Sequence, residues 1–192
     1  MVNATLFLEI LAGSYGTIVA DRNESWPFVR NPFFDSIAVS VTESFLACPI
    51  ITAANRADWE VFSGAEIYSY NEELVPAPVA VESSTQIYCP LWQGTSVTEI
   101  GLDLLSSPDV RNATFIFTDQ DTISSVPPFL VIPNTGFSPF DQFTIGAPSE
   151  VVWIVHPIYE SNTLVGLAIL RIRQQSLQEN DYDLTGHLLS AM

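Results

Sequence analysis

The side chains of this sequence that could serve as bases, nucleophiles or metal ligands are few and scattered. Its two histidines, His156 and His187, stand far apart, and so do its two cysteines, Cys48 and Cys89. A zinc site needs about four such ligands held close together, which this spacing does not supply. His156 lies inside Val151-Val-Trp-Ile-Val-His-Pro-Ile158, the most apolar run of the chain, where a hydrogen-bonded core histidine is the expectation. His187 sits in a polar tail. Asp119 and Asp121 flank one residue, as in a calcium loop, but the glycine and the distal glutamate are missing, so a solvated turn is expected. There is no glycine-rich phosphate loop, no serine elbow and no His-Glu-x-x-His helix. Among 22 acids no two stand out as a general acid and base. The chain is expected to bind rather than to catalyse, with no metal and no cofactor.

The elements that would build a binding site are easier to read. At 192 residues and 47% apolar content the chain makes one large domain or two small lobes around a real core. Its formal charge of −16, with no lysine among the six basic residues, argues against nucleic acid or an anionic membrane surface as a partner. The N-terminal apolar run from Val2 to Ala20 is interrupted by Asn3, Glu9, Ser14 and Tyr15, so it is not a membrane span. If the domain belongs outside a cell, its targeting and membrane segments are expected beyond this stretch. Cys48 and Cys89 are each followed by proline and each sit on a strand-like run. They either pair or remain two buried thiols; a bond closing 41 residues is worth roughly 4 kcal/mol in the chain-entropy model. Sequons at Asn3, Asn23 and Asn112 lean toward an extracellular compartment.

The hairpin from Glu150 to Arg173 dominates the pattern: two β-branched, aromatic-rich runs joined by the polar break Glu160-Ser-Asn-Thr163. Its first run is apolar on both faces, as in a strand covered on both sides. Before it, helical spacing is read over 4–19 and again over about 33–46, where Phe34, Ile37, Ala38, Val41 and Phe45 recur. Pro49–Thr52 reads as a strand, Asn55–Phe62 as a helix stopped by Gly64, and 65–70 as a strand. A polar loop follows over 71–84, then a strand over Gln86–Gln93 and an apolar run over Glu99–Leu105. Ser107-Pro108-Asp109 starts a helix whose inner face is Val110, Ala113, Thr114 and Phe117. Phe129–Ile132 is a further strand. The whole is α/β in content (α+β), with an antiparallel sheet.

Several short motifs, in order, resemble one family. Asn55-Arg-Ala-Asp-Trp-Glu60, Tyr88-Cys-Pro-Leu-Trp92, Ile100-Gly-Leu-Asp-Leu104 and Ser107-Pro-Asp-Val-Arg-Asn-Ala113 look like the centre of the CHASE domain. Val155-His-Pro-Ile-Tyr159 and Leu164-Val-Gly166 are similar to its last strands, and Trp26-Pro-Phe-Val29 looks closest to ectodomains of receptor-type guanylate or adenylate cyclases. CHASE domains are the extracellular sensors of receptor histidine kinases and nucleotide cyclases. The resemblance spans about 26–173. It departs from the family where an asparagine is expected before Gly101, where Val110 stands for the first of two arginines, and near Val126–Pro128 where a threonine is expected. The aspartate that holds the purine in cytokinin-binding members falls at Val110, beside Asp109, so cytokinin is not the expected ligand.

The resemblance implies an N-terminal helix and linker over 1–25, a PAS-like sensor domain over 26–175, with an antiparallel sheet and flanking helices, and a tail over 176–192. It implies an unknown small-molecule ligand held between the sheet and its covering loops, and is compatible with a homodimer. The residues expected to line the site are Tyr88, Trp92, Phe129, Val131 and Trp153, with Asp109 or Arg111 as polar anchors. A structural or dimerisation ectodomain with a filled pocket is the alternative.

Overall fold

The computed structural model describes residues 44–71, 75–94, 100–118, 130–133, 151–160 and 162–173. Its main sheet is built on the hairpin of β8 (Val151–Glu160) and β9 (Thr163–Arg173). The strands pair in antiparallel register from Val151↔Arg173 to Glu160↔Thr163, with one irregularity at Ile158/Tyr159. Asn162 turns the corner at φ 66°, a left-handed conformation that asparagine tolerates better than most residues. On the far side of β9 lies β1 (Ser44–Pro49), and β8 carries β7 (Leu130–Pro133) on its other edge. β6 (Gln93–Gly94) closes the sheet beside β1. The five strands are antiparallel, in the order β6-β1-β9-β8-β7.

Cross-strand register sorts the side chains onto two faces. Leu46, Cys48, Leu130, Trp153, Val155, Leu167 and Ile169 share one. Against it pack Val110, Ala113 and Phe117 of helix α2 (Pro108–Thr118), in the spacing that the sequence predicts. Ala47, Val131, Ile154, His156, Ala168 and Leu170 point the other way and are buried as well. Hence β8 and β9 lack the alternation of a half-exposed strand. The hydroxyl of Tyr159 donates to the Phe117 carbonyl at 2.9 Å and ties the last turn of α2 to the hairpin.

A smaller layer covers the sheet's end. Helix α1 (Arg56–Ser63) stops at Gly64, φ 71°, whose N–H donates to Glu60 O. Trp59 of α1, with Ile51, Ile67, Tyr88 and Trp92, forms a second core cluster. Two short pairs run through this layer: β2 (Ile51–Thr52) with β5 (Ile87–Tyr88), and β3 (Tyr68–Tyr70) with β4 (Pro76–Pro78). Between them the segment 101–103 bridges to Tyr68 on one side and Pro90 on the other. Asp103 N–H donates to Tyr68 O and Leu91 N–H to Leu102 O, both at 2.8 Å. A 3-10 turn, Leu104–Ser106, then leads into α2.

Three expectations are corrected. The helix read over 33–46 is strand at 44–46, with Leu46 and Ala47 on opposite faces; residues 33–43 lie outside the described part. A short apolar run fits either period, and pairing with β9 decides it. The single strand over 86–93 is split into β5 and β6. Pro90 offers no N–H, and the segment between the two strands bonds instead to 101–104. The loop over 71–84 contains β4. The helix over 4–19, the linker over 1–25 and the tail over 176–192 lie outside the described residues.

Cys48 and Cys89 are joined, which fastens β1 of the main sheet to the segment between β5 and β6. Opening this 41-residue link by the double change Cys48→Ala/Cys89→Ala is expected to cost about 4 kcal/mol in urea unfolding, less any residual structure in the unfolded chain. Gly101 sits at φ 93°, where an added Cβ would collide with the Glu66 carbonyl. Gly101→Ala is expected to destabilise by about 2–4 kcal/mol, from left-handed strain plus overpacking. A loss under about 1 kcal/mol in the same assay would show that the turn relaxes.

Candidate functional site

Of the seven residues read from the sequence as ligand contacts, six are described, and they do not line one common site. Tyr88 is fully buried in the second cluster, with the Arg56 guanidinium 5.1 Å from its ring centre. Trp92 is buried in the same cluster, edge-on to Trp59 at 6.0 Å. Trp153 packs in the main core toward α2, while Val131 faces the opposite side of the sheet. Asp109 is half-buried in the first turn of α2. Phe129 lies outside the described residues, as do Asn3, Asn23, His187, Asp119 and Asp121. Asn112 is exposed on α2. Among the described candidates, Arg111 lines a cleft. His156 is a buried residue of the sheet, its Nδ1 2.7 Å from the Pro157 carbonyl oxygen.

That cleft, of about 410 Å³, lies between α2 with its preceding 3-10 turn and the arm formed by β3, β5 and the 79–86 loop. Val79, Ile87, Leu105 and Phe115 give it apolar walls; Ser69, Thr85 and Ser106 bring hydroxyls. Gln86 shapes one wall. Its side chain accepts from Glu82 N–H at 2.7 Å and donates to Ala80 O at 3.2 Å, clamping the loop.

At the cleft lies Asp103, only 5% exposed. Its Oδ1 accepts from two amides, Cys89 N–H at 2.8 Å and Leu105 N–H at 3.2 Å. The second contact caps the 3-10 turn; the first reaches across to the disulfide-linked segment. Oδ2 takes no hydrogen bond from any described residue. Burial raises the Asp103 pKa, an effect opposed by the two amides and by the positive charges of Arg111 and Arg56. Arg111 is exposed on the cleft, its Nε donating to Leu105 O at 2.9 Å. A buried carboxylate and a guanidinium thus share one concavity without pairing.

The sequence motif Gly101-Leu-Asp-Leu104 contains Asp103, yet its role went unread. The available signal was an acid one residue before a turn, where aspartate caps backbone N–H groups. Arg56 was also missed. It donates to Glu60 Oε1, Val79 O and Ile67 O at 2.8, 2.6 and 3.2 Å, and so fixes α1 to the arm that walls the cleft. Among the described residues no group of three or more His, Cys, Asp or Glu could hold a metal. No described helix is long and apolar enough to cross a membrane. No protein-family model matches the chain, and no curated protein matches its sequence.

The raised pKa of Asp103 carries a sign. The folded state keeps this proton to higher pH than the unfolded state, whose carboxyl titrates near the ordinary ~3.9. The associated stability is full below that value and falls as pH rises through the folded pKa. Asp103→Asn keeps an Oδ1 acceptor for both amides and removes the titration. Urea unfolding at pH steps from about 3.5 to 7 is expected to show wild type losing stability relative to this variant. A difference independent of pH would contradict the burial argument.

Proposed function

We propose that this chain is a small-molecule sensor domain of CHASE type, with a PAS-like sheet, working as the extracellular part of a transmembrane receptor. In such a receptor the output is a nucleotide cyclase or a histidine kinase. The observation that carries the binding half of this reading is the cleft beside α2, where a buried carboxylate leaves one oxygen unspent. An acceptor held in place by two amides and left open to a cleft is a polar group that a ligand can use for orientation. The PAS-like reading is supported by the sheet: counted along the chain its five strands run in the order 2-1-5-4-3, with helix α2 packed on one face. The extracellular reading is supported by the Cys48–Cys89 bond and by the exposed sequon asparagine Asn112.

For signalling, the ligand must bind one arrangement of the domain better than another. α2 forms a wall of the cleft and is tied to β8 through Tyr159, and β8 pairs with β9. A change in the cleft therefore has a short covalent and hydrogen-bonded route to the centre of the sheet.

A thermal-shift screen of nucleotides, sugars, organic acids, amines and amino acids tests the binding half. One class is expected to raise Tm by several degrees, since ligand at 100-fold its Kd adds about 2.7 kcal/mol. Thr85→Trp, at an exposed position on the cleft, is expected to abolish that shift while leaving the free domain's Tm within about 2 °C. Silence across every class would favour a structural or dimerisation ectodomain instead.

A further inference from the structure

We infer that the cleft takes a small zwitterion of amino-acid type, its cationic nitrogen on Asp103 and its carboxylate on Arg111. The inference rests on the small-molecule reading of the cleft and names the class of ligand.

Three observations support it. First, Asp103 is more than nine-tenths buried, and its Oδ1 is fully used by two amides, while Oδ2 has no described partner. Oδ2 is also not among the buried side-chain atoms sealed from solvent without a bond, so the remaining edge of the carboxylate is open to the cleft that Asp103 lines. An ionised carboxylate in that position needs N–H donors, and a positive charge answers it best.

Second, Arg111 spends only Nε, on the Leu105 carbonyl, and that bond orients the guanidinium. Its two Nη groups have no partner among the described residues, and together they form the edge that receives a carboxylate end-on. Asp103 and Arg111 line the same cleft, and no ion pair joins them among the described residues. A cavity that holds two opposite charges without pairing them leaves room for a molecule that carries the complementary pair.

Third, the remaining lining excludes the obvious rivals. Ser69, Thr85 and Ser106 suit a compact polar ligand better than a fatty one. A dianionic ligand such as a phosphate would meet one guanidinium against two carboxylates, Asp103 and Glu82. A simple cation would leave Arg111 unanswered. About 410 Å³ is ample for a free amino acid with a side chain against Phe115 and Val79.

Isothermal titration of the folded domain with the twenty L-amino acids and γ-aminobutyrate provides the test. The hits are then compared with their N-acetyl and methyl-ester forms, which remove one charge each. At least one free amino acid is expected to bind, with each single-charge form weaker by tenfold or more. Asp103→Asn and Arg111→Gln are each expected to weaken binding tenfold or more; the first affects mainly recognition of the amine and the second that of the carboxylate. Melting curves of the unliganded variants confirm that both remain folded. If the broader screen finds a ligand of another class in the cleft, insensitive to both substitutions, the zwitterion is overturned and the sensor reading stands. If no compound of any class binds, both fall.

Discussion

Much of the fold is held at one place, where the backbone of Cys89 meets the carboxylate of Asp103. The Cys89 sulfur is bonded to β1, an interior strand of the sheet, and its amide donates to Asp103 at the head of the turn into α2. Its carbonyl accepts from Leu104 at 2.9 Å. One residue therefore fastens the sheet, the covering layer and the main helix. The covalent link acts on the unfolded chain by removing freedom. The amide bonds act on the folded chain, since each would otherwise be a buried donor without an acceptor. The cleft is a by-product of this arrangement: the carboxylate satisfies the backbone with one oxygen and presents the other.

The charge of the chain frames what its few arginines do. With six basic residues against 22 acids, a guanidinium here is scarce. Arg56 is committed to two carbonyls, a glutamate and the face of Tyr88. Arg171 lies over the Trp153 ring at 5.9 Å. Arg56 uses its planar fork as a many-armed strut, which lysine could not replace, and Arg171 presents its plane to an aromatic face. Arg111 differs, since it stands exposed and, among the described residues, only its Nε has a partner.

The sequence made some of this legible and hid the rest for physical reasons. The β8–β9 hairpin, both described helices and the inner face of α2 follow from periodicity, Gly64 as a stop and Pro108 as a start. Local patterns of that kind survive whatever the rest of the chain does. β1 was obscured because Ser44–Pro49 is too short for its period to be distinctive, and its strand state comes from pairing with a partner over a hundred residues away. The aromatic residues chosen for the site were large and apolar, which selects equally for core; Tyr88, Trp92 and Trp153 all went there. Asp103 was hidden by the opposite prejudice. A single acid in a chain full of acids has no sequence mark of its burial, and only the tertiary contact with Cys89 sets it apart.

The short β3–β4 pair has a bearing on how this molecule behaves in a crowd. Asn71 N–H bonds to Val75 O and Val79 N–H to Ile67 O, so the odd-numbered residues of β4 turn their backbone toward β3 and the even-numbered ones turn away. The outward positions are Pro76 and Pro78, which have no N–H to offer. An intruding strand from a neighbouring molecule would find acceptors there but no donors, and could not zip along that border. Two imino acids, spaced by the pleat, thus keep an otherwise inviting rim from seeding assemblies.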